Sequence, residues 1–153
     1  MSTTNTFTCD TCPIIKVVRL SPSAVLPTKG TALSVGYDLT AIGIERRLNN
    51  TTTLYKTGLC VQPPEGYYTE ITARSSISKT GHMLANGIGV IDTDYTGELF
   101  LAMIKVDPSA PDLEVPFKLC QLVLHRAEYY KFEESEQLVE TERGNGGFGS
   151  TNR

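Results

Sequence analysis

Runs of strand character recur about every 8–12 residues along this chain, each closed by Pro, Gly, Asn or Asp, and no segment carries the period of a long helix. The runs are Ile14–Leu20, Ser34–Ala41, Thr52–Val61, Tyr67–Arg74, Ile88–Ile91, Glu98–Val106, Lys118–Arg126 and Glu128–Phe132. In the fourth, Tyr67, Thr69, Ile71 and Ala73 share one face, with Tyr68, Glu70, Thr72 and Arg74 on the other, so Arg74 ends a strand on its polar side. The longest helix-compatible stretch is the turn Ser75–Gly81. Such a pattern buries itself as sheet on sheet, predicting an all-β sandwich, barrel or jelly roll. Composition agrees, because 19 Thr, 10 Val and 9 Ile make about a quarter of the chain β-branched.

The 153 residues suffice for one domain with its own core, and no internal repeat marks a second. Residues 13–139 are expected to form it. Residues 1–12, polar and Thr-rich, are expected to be a flexible amino-terminal segment, and 140–153, charged and then Gly-rich, a mobile carboxy-terminal arm. The longest apolar run, Leu99–Ile104, falls far short of the ~20 residues of a membrane helix. The first residues lack the basic and apolar regions of a secretory signal, so an intracellular location, cytoplasmic or nuclear, is expected.

Charge and side-chain chemistry exclude several function classes. Fourteen Lys plus Arg against 17 Asp plus Glu give a formal charge of −3, which removes the broad positive field of a nucleic-acid binder while leaving room for a local anion site. Four Cys do not read as a disulfide framework. Cys9 and Cys12 have ligand spacing, but Cys60 and Cys120 stand far off, so neither a zinc site nor a redox motif is expected. His82 and His125 accompany no nucleophile elbow, and His125 lies in a strand pattern that suits a structural role.

Three clusters carry donor and acceptor chemistry. The tail Arg143-Gly144-Asn145-Gly146-Gly147-Phe148-Gly149-Ser150-Thr151 lets backbone N–H groups approach an anion, and Arg143, Ser150 and Thr151 add donors for phosphate oxygens. It is not a P-loop, since no strand, Gly-Lys pair or helix frames it. A Gly-rich end also suits a mere solubilising tail, but Phe148 needs a surface on which to stack. In Ala73-Arg74-Ser75-Ser76 a strand hands over to a turn whose serines are expected to cap it, seating an anion beside Arg74 or serving as ordinary caps. The segment Asn86 to Glu98 sets the strand Ile88–Ile91 among Gly87, Gly89 and the acids Asp92 and Asp94, followed by Tyr95. Its bare backbone suits main-chain reading of a planar ligand, although Thr93–Gly97 would also serve as a plain hairpin turn.

In this order the segments closely resemble the five motifs of the trimeric dUTPase family. Motif one is similar to Ser34-Val35-Gly36-Tyr37-Asp38-Leu39, motif two to Ala73-Arg74-Ser75-Ser76, motif three to Asn86 through Gly97, and motif five to Arg143 through Thr151. Motif four departs from the pattern: Phe117-Lys118-Leu119-Cys120-Gln121-Leu122 keeps the Gln but lacks the usual Gly-x-Arg, leaving Lys118 as a weaker substitute.

The resemblance implies an all-β, jelly-roll-like homotrimer with shared active sites, each closed by a neighbour's carboxy-terminal arm. It implies hydrolysis of dUTP to dUMP and pyrophosphate, which keeps uracil out of DNA and supplies dUMP for thymidylate synthesis. By the family pattern Asp92 activates water, Asn86 with the backbone of Gly89 and Val90 reads uracil, and Tyr95 packs on deoxyribose. Arg74, Ser75, Ser76 and Gln121 hold phosphates with Arg143, Ser150 and Thr151, Phe148 stacks on the base, and Gly149 beside it also binds substrate. The Mg2+ cofactor would be held mainly by the substrate phosphates, with Asp38 acting through water. No stable nucleic-acid or membrane partner is expected. Two alternatives remain: a dCTP deaminase-like enzyme, which the Gly-rich arm disfavours, and a non-catalytic nucleotide sensor, which an intact Asp92 disfavours.

Overall fold

In the computed structural model, which describes residues 9–149, the run Thr52–Gln62 forms β4 and organises the first of two antiparallel sheets. One edge of β4 pairs with β8 (Glu98–Lys105), which pairs in turn with β6 (His82–Leu84). Its other edge takes β3 (Gly43–Arg47) along Thr53–Lys56 and β1 (Lys16–Arg19) along Leu59–Gln62, end to end. The second sheet runs β2 (Tyr37–Ala41), β9 (Phe117–Arg126), β5 (Tyr67–Ala73), β7 (Gly89–Ile91). The architecture is two-sheeted and jelly-roll-like, one of the all-β forms that the strand pattern allows and the one that the resemblance implies.

Period-two alternation sorts each strand's residues between core and surface. Tyr55, Leu59, Leu99, Leu101 and Met103 from the first sheet pack with Leu39, Ala41, Ile71, Cys120 and Leu122 from the second. Tyr55 and Phe117 meet edge-to-face across the layers, with ring centroids 4.9 Å apart. Burial pushes the Cys120 thiol up to about 12, so this cysteine is an inert core residue. The register of β4 slips between Lys56 and Cys60. There Gly58 adopts φ +69, and a Cβ on it would lie 2.9 Å from both Ala24 and Ile42. The buried Thr57 hydroxyl donates to Leu99 O and accepts from Leu59 N, and the Glu98 carboxylate accepts from Gly58 N.

Several expectations change. β3 lies outside the predicted runs because its sequence, Gly-Ile-Glu-Arg-Arg, has charged residues where alternation would show; it is a strand only because β4 offers an edge. β6 is three residues long, too short for a periodic signal. The predicted strand Glu128–Phe132 does not form. Among the described residues regular structure stops at Arg126, and the segment runs on with Tyr129, Tyr130 and Phe132 all exposed and with no strand paired to it. Cys9 and Cys12, left unpaired by the sequence reading, are joined by a disulfide across a turn in which Cys12 N donates to Cys9 O. Residues 1–8 of the predicted amino-terminal segment lie outside the described residues. Among the described residues no helix is long and apolar enough to cross a membrane.

Candidate active site

The ladder of the second sheet aligns Asp38 of β2, Gln121 of β9 and Thr72 of β5 in one row, and Arg74 follows just past the end of β5. Arg74 Nε lies 2.9 Å from Asp38 Oδ1, its Nη1 donates to Lys118 O at 2.8 Å, and its backbone N–H donates to Leu119 O. The guanidinium is therefore fixed by a carboxylate and a carbonyl, while 35% of its side chain stays exposed. Gln121 Nε2 donates to Ala73 O at 3.2 Å. Gly36 makes that possible, since a Cβ there would fall 2.1 Å from Gln121 Oε1. Lys118 meets Arg74 through its carbonyl, and its side chain is exposed.

Ser75 and Ser76 open a 3-10 helix, Ser75–Lys79, but neither caps it, contrary to expectation. Arg74, still extended at φ −82 and ψ 154, takes the N-cap position, so both serines fall inside the first turn with exposed side chains, and no side chain satisfies the first N–H groups. The result is a row of donors beside Arg74.

β7 is the outermost strand of its sheet, so the backbone on its free edge meets no strand among the described residues. Asn86-Gly87-Ile88 leads into it through a tight turn: Gly87 takes φ +67, and Ile88 N donates to Asn86 O at 2.7 Å. Gly89 is buried against Ile71 and Asn86, whereas Val90 is exposed. Asp92 follows directly after β7 and lines a groove of about 1040 Å³ with Tyr68, Val90, Arg126, Glu128 and Tyr129. Tyr95 N donates to Asp92 O, and Tyr95 OH donates to Glu98 O at 2.8 Å. Gly97 leaves room for that ring, since a Cβ there would come within 2.7 Å of the phenol oxygen.

Arg126 and Tyr68 were absent from the candidate residues, although the strand alternation already put Tyr68 on the polar face. Tyr68 OH donates to Glu70, a bond that holds the phenol above its ordinary pKa, and Tyr68 stacks on His125, whose Nε2 lies 3.1 Å from Glu70. His82 is buried with its Nδ1 2.8 Å from Thr80 O. Both ring systems are thus engaged by neighbouring groups, His125 by Tyr68 and Glu70 and His82 by a backbone carbonyl.

The described residues of the arm hydrogen-bond among themselves: Arg143 Nε donates to Gly146 O, and Gly146 N donates to Arg143 O. Phe148 is fully exposed, and Gly149 ends the described chain. Ser150 and Thr151 lie outside the described residues.

Residues 23–152 match the model of the dUTPase family. The chain belongs to the dUTPase family. Its relatives include the deoxyuridine 5'-triphosphate nucleotidohydrolases of Arabidopsis thaliana, 39% identical with 91% of this chain and 83% of the relative covered, and of Swinepox virus, 35% identical with 90% and 96% covered. The fold is similar to that of the Staphylococcus bacteriophage 80alpha dUTPase with dUPNHPP, at a TM-score of 0.71 and 23% identity over 90% of this chain and 97% of that one. It is also similar to a mutant dUTPase from phage phi11 of S. aureus described with a structural Mg(II) ion, at a TM-score of 0.69 and 23% identity over 83% of this chain and 99% of the other.

For a dUTPase the distribution of these residues has a consequence. Ile91 pairs with Thr69, which puts Asp92 level with Tyr68, six residues along β5 from Arg74. At ~3.3 Å per residue the Asp92 and Arg74 ends of the sheet lie roughly 20 Å apart. One chain brings Asp38, Arg74 and Gln121 together, with Ser75 and Ser76 adjoining, and holds Asp92 at the other end of the sheet.

Proposed function

We infer that the chain hydrolyses dUTP to dUMP and pyrophosphate at sites completed between copies of itself, as a homotrimer. The separation of Asp92 from Arg74 carries the second half of this inference. An attacking water must sit about 3–3.5 Å from the phosphorus. An Asp92 that activates it therefore serves a triphosphate held by another copy's Arg74, Ser75, Ser76 and Gln121. The exposed apolar side chains Phe132, Leu138 and Val139, beyond the last strand, give a neighbour something to cover.

Asp92 takes a proton from the water as its oxygen bonds to the α-phosphorus; the bond to the bridging oxygen breaks, and pyrophosphate leaves with the electron pair. The free Nη protons of Arg74, the Gln121 amide and the Ser75 and Ser76 donors neutralise phosphate charge, with Arg143, Ser150 and Thr151 joining when the arm closes. The free edge of β7, with Asn86, Gly89 and Val90, supplies the backbone that reads uracil. Phe148 stacks on the base from the arm, and Tyr95 packs on the sugar.

The residues fit a metal that arrives with the triphosphate. Among the described residues no group of three His, Cys, Asp or Glu could hold an ion, while the Asp38 carboxylate stands beside the phosphate donors. Mg2+ bound by phosphate oxygens, with Asp38 on its water shell, would offset charge on the phosphates.

The test of this function is pyrophosphate release from dUTP beside dTTP and dCTP. We expect kcat/KM for dUTP to exceed the others by ~10²-fold or more, because a close backbone cradle rejects a 5-methyl group and a 4-amino donor. Comparable turnover of dTTP, or none of dUTP, overturns it. Gly36→Ala probes the phosphate end separately. Its Cβ displaces the Gln121 side chain without straining the backbone, so the fold should persist while kcat/KM for dUTP falls by about tenfold, the scale of one hydrogen bond to a charged group. Thermal melting and steady-state kinetics together check this.

A further inference from the structure

Asp92 stands where the sheet runs out. The β5–β7 ladder ends at the pair Ile91–Thr69, so strand pairing stops one residue before the carboxylate. Thr93, one residue after it, restores the connection through its side chain: the hydroxyl donates to the carbonyl of Tyr67, the first residue of β5. Thr93 is half-buried, whereas Asp92 and Asp94 on either side are exposed. The backbone of Asp92 is thus held on both flanks, by the ladder before it and by the Thr93 hydroxyl after it. The turn from Asp92 O to Tyr95 N closes over the same point. Because the Thr93 proton is committed to Tyr67, the contact between Thr93 Oγ1 and Tyr129 OH at 3.4 Å must have the phenol as donor, a weaker tie from the segment that follows β9.

We propose that Thr93 is a positioning residue for Asp92, its hydroxyl acting as a side-chain rung that extends β7 past the end of the ladder and fixes the carboxylate in the groove. This rests on the assignment of Asp92 as the group that activates water. A strand end released from its neighbour moves by ångströms, and errors of about 1 Å in a catalytic group can cost up to ~10²-fold in rate. Thr93 lines the same groove as Asp92, but its hydroxyl proton is spent on a backbone carbonyl and not offered to nucleotide, so replacing the hydroxyl by a methyl of the same size keeps the lining's shape. Its effect belongs in turnover and not in binding.

Thr93→Val keeps the shape and removes the donor; Thr93→Ser keeps the donor and removes the methyl. Both are compared with the parent and with Asp92→Asn, reading kcat and KM for dUTP and the affinity for its non-hydrolysable imido analogue. Thr93→Val should lower kcat by about tenfold with KM and analogue affinity within about twofold, and Thr93→Ser should restore kcat to within about threefold of the parent. If Asp92→Asn abolishes turnover while Thr93→Val keeps a normal kcat, the positioning role is wrong and the assignment of Asp92 stands. If Thr93→Val weakens analogue binding as much as it lowers kcat, or Thr93→Ser fails to rescue, Thr93 is only a structural link in the turn. Normal turnover by Asp92→Asn removes the basis of both.

Discussion

Asp92→Asn is expected to bind dUTP nearly as well as the parent and to turn it over at least ~10²-fold more slowly, the usual scale for a positioned base. The amide has nearly the shape of the carboxylate, so neither the groove beside Tyr68 and Arg126 nor the Tyr95 N–H bond to the residue-92 carbonyl should change. What disappears is the acceptor for the water's proton. Asp92 is exposed and lies outside the core, which keeps a folding defect from imitating the result. Single-turnover kinetics with saturating dUTP, alongside analogue binding, separate the two quantities; a kcat within a few-fold of the parent would assign the proton to another group.

The second large effect belongs to the arm. A chain ending at Glu142 should fold and assemble, yet hydrolyse dUTP at least ~10²-fold more slowly, because Arg143, Phe148, Ser150 and Thr151 go with the removed residues and bulk water stays in the site. Folding should survive because, among the described residues, regular structure stops at Arg126 and the arm's hydrogen bonds stay within the arm. Closure of four glycines is entropically costly and must be offset by base stacking, worth ~1–3 kcal/mol, and by charge-assisted contacts to phosphate. The decisive experiment mixes this truncated chain with the Asp92→Asn chain under conditions of subunit exchange. Each is nearly inactive alone. Recovery of turnover in the mixture requires a site that draws its Asp92 from one copy and its arm from another; no recovery despite verified exchange would confine both to one chain.

Most of the sheet framework was legible because strands with one buried face must alternate. Thr52–Val61 and Tyr67–Arg74 advertise themselves, and β4 and β5 follow within a residue or so. β3 was invisible for the complementary reason: an edge strand exposed along four of its five residues has no face to alternate, so only the neighbouring β4 makes it a strand. The failed strand Glu128–Phe132 is the converse case. Its aromatic residues carry the pattern, but a pattern stabilises a strand only when an edge receives it, and among the described residues no strand pairs with this segment. The supposed serine caps failed on a one-residue boundary, because the extended backbone of Arg74 moved the start of the helix past the point where Ser75 could cap it.

The sequence by itself determined the residue types and the order of the dUTPase motifs, since short polar segments keep their chemistry wherever the chain carries them. It also determined which strand faces look inward, since period two leaves no other choice. Tertiary structure decided which of those segments meet. Asp38, Gln121 and Arg74 come from positions 36 to 83 residues apart in sequence and converge only because β2, β9 and β5 are neighbours in register. The same register sends Asp92 to the opposite end of the sheet. Pairing between distant strands is fixed by the collective burial of a two-sided core, a property of all the strands together that no local stretch of residues encodes.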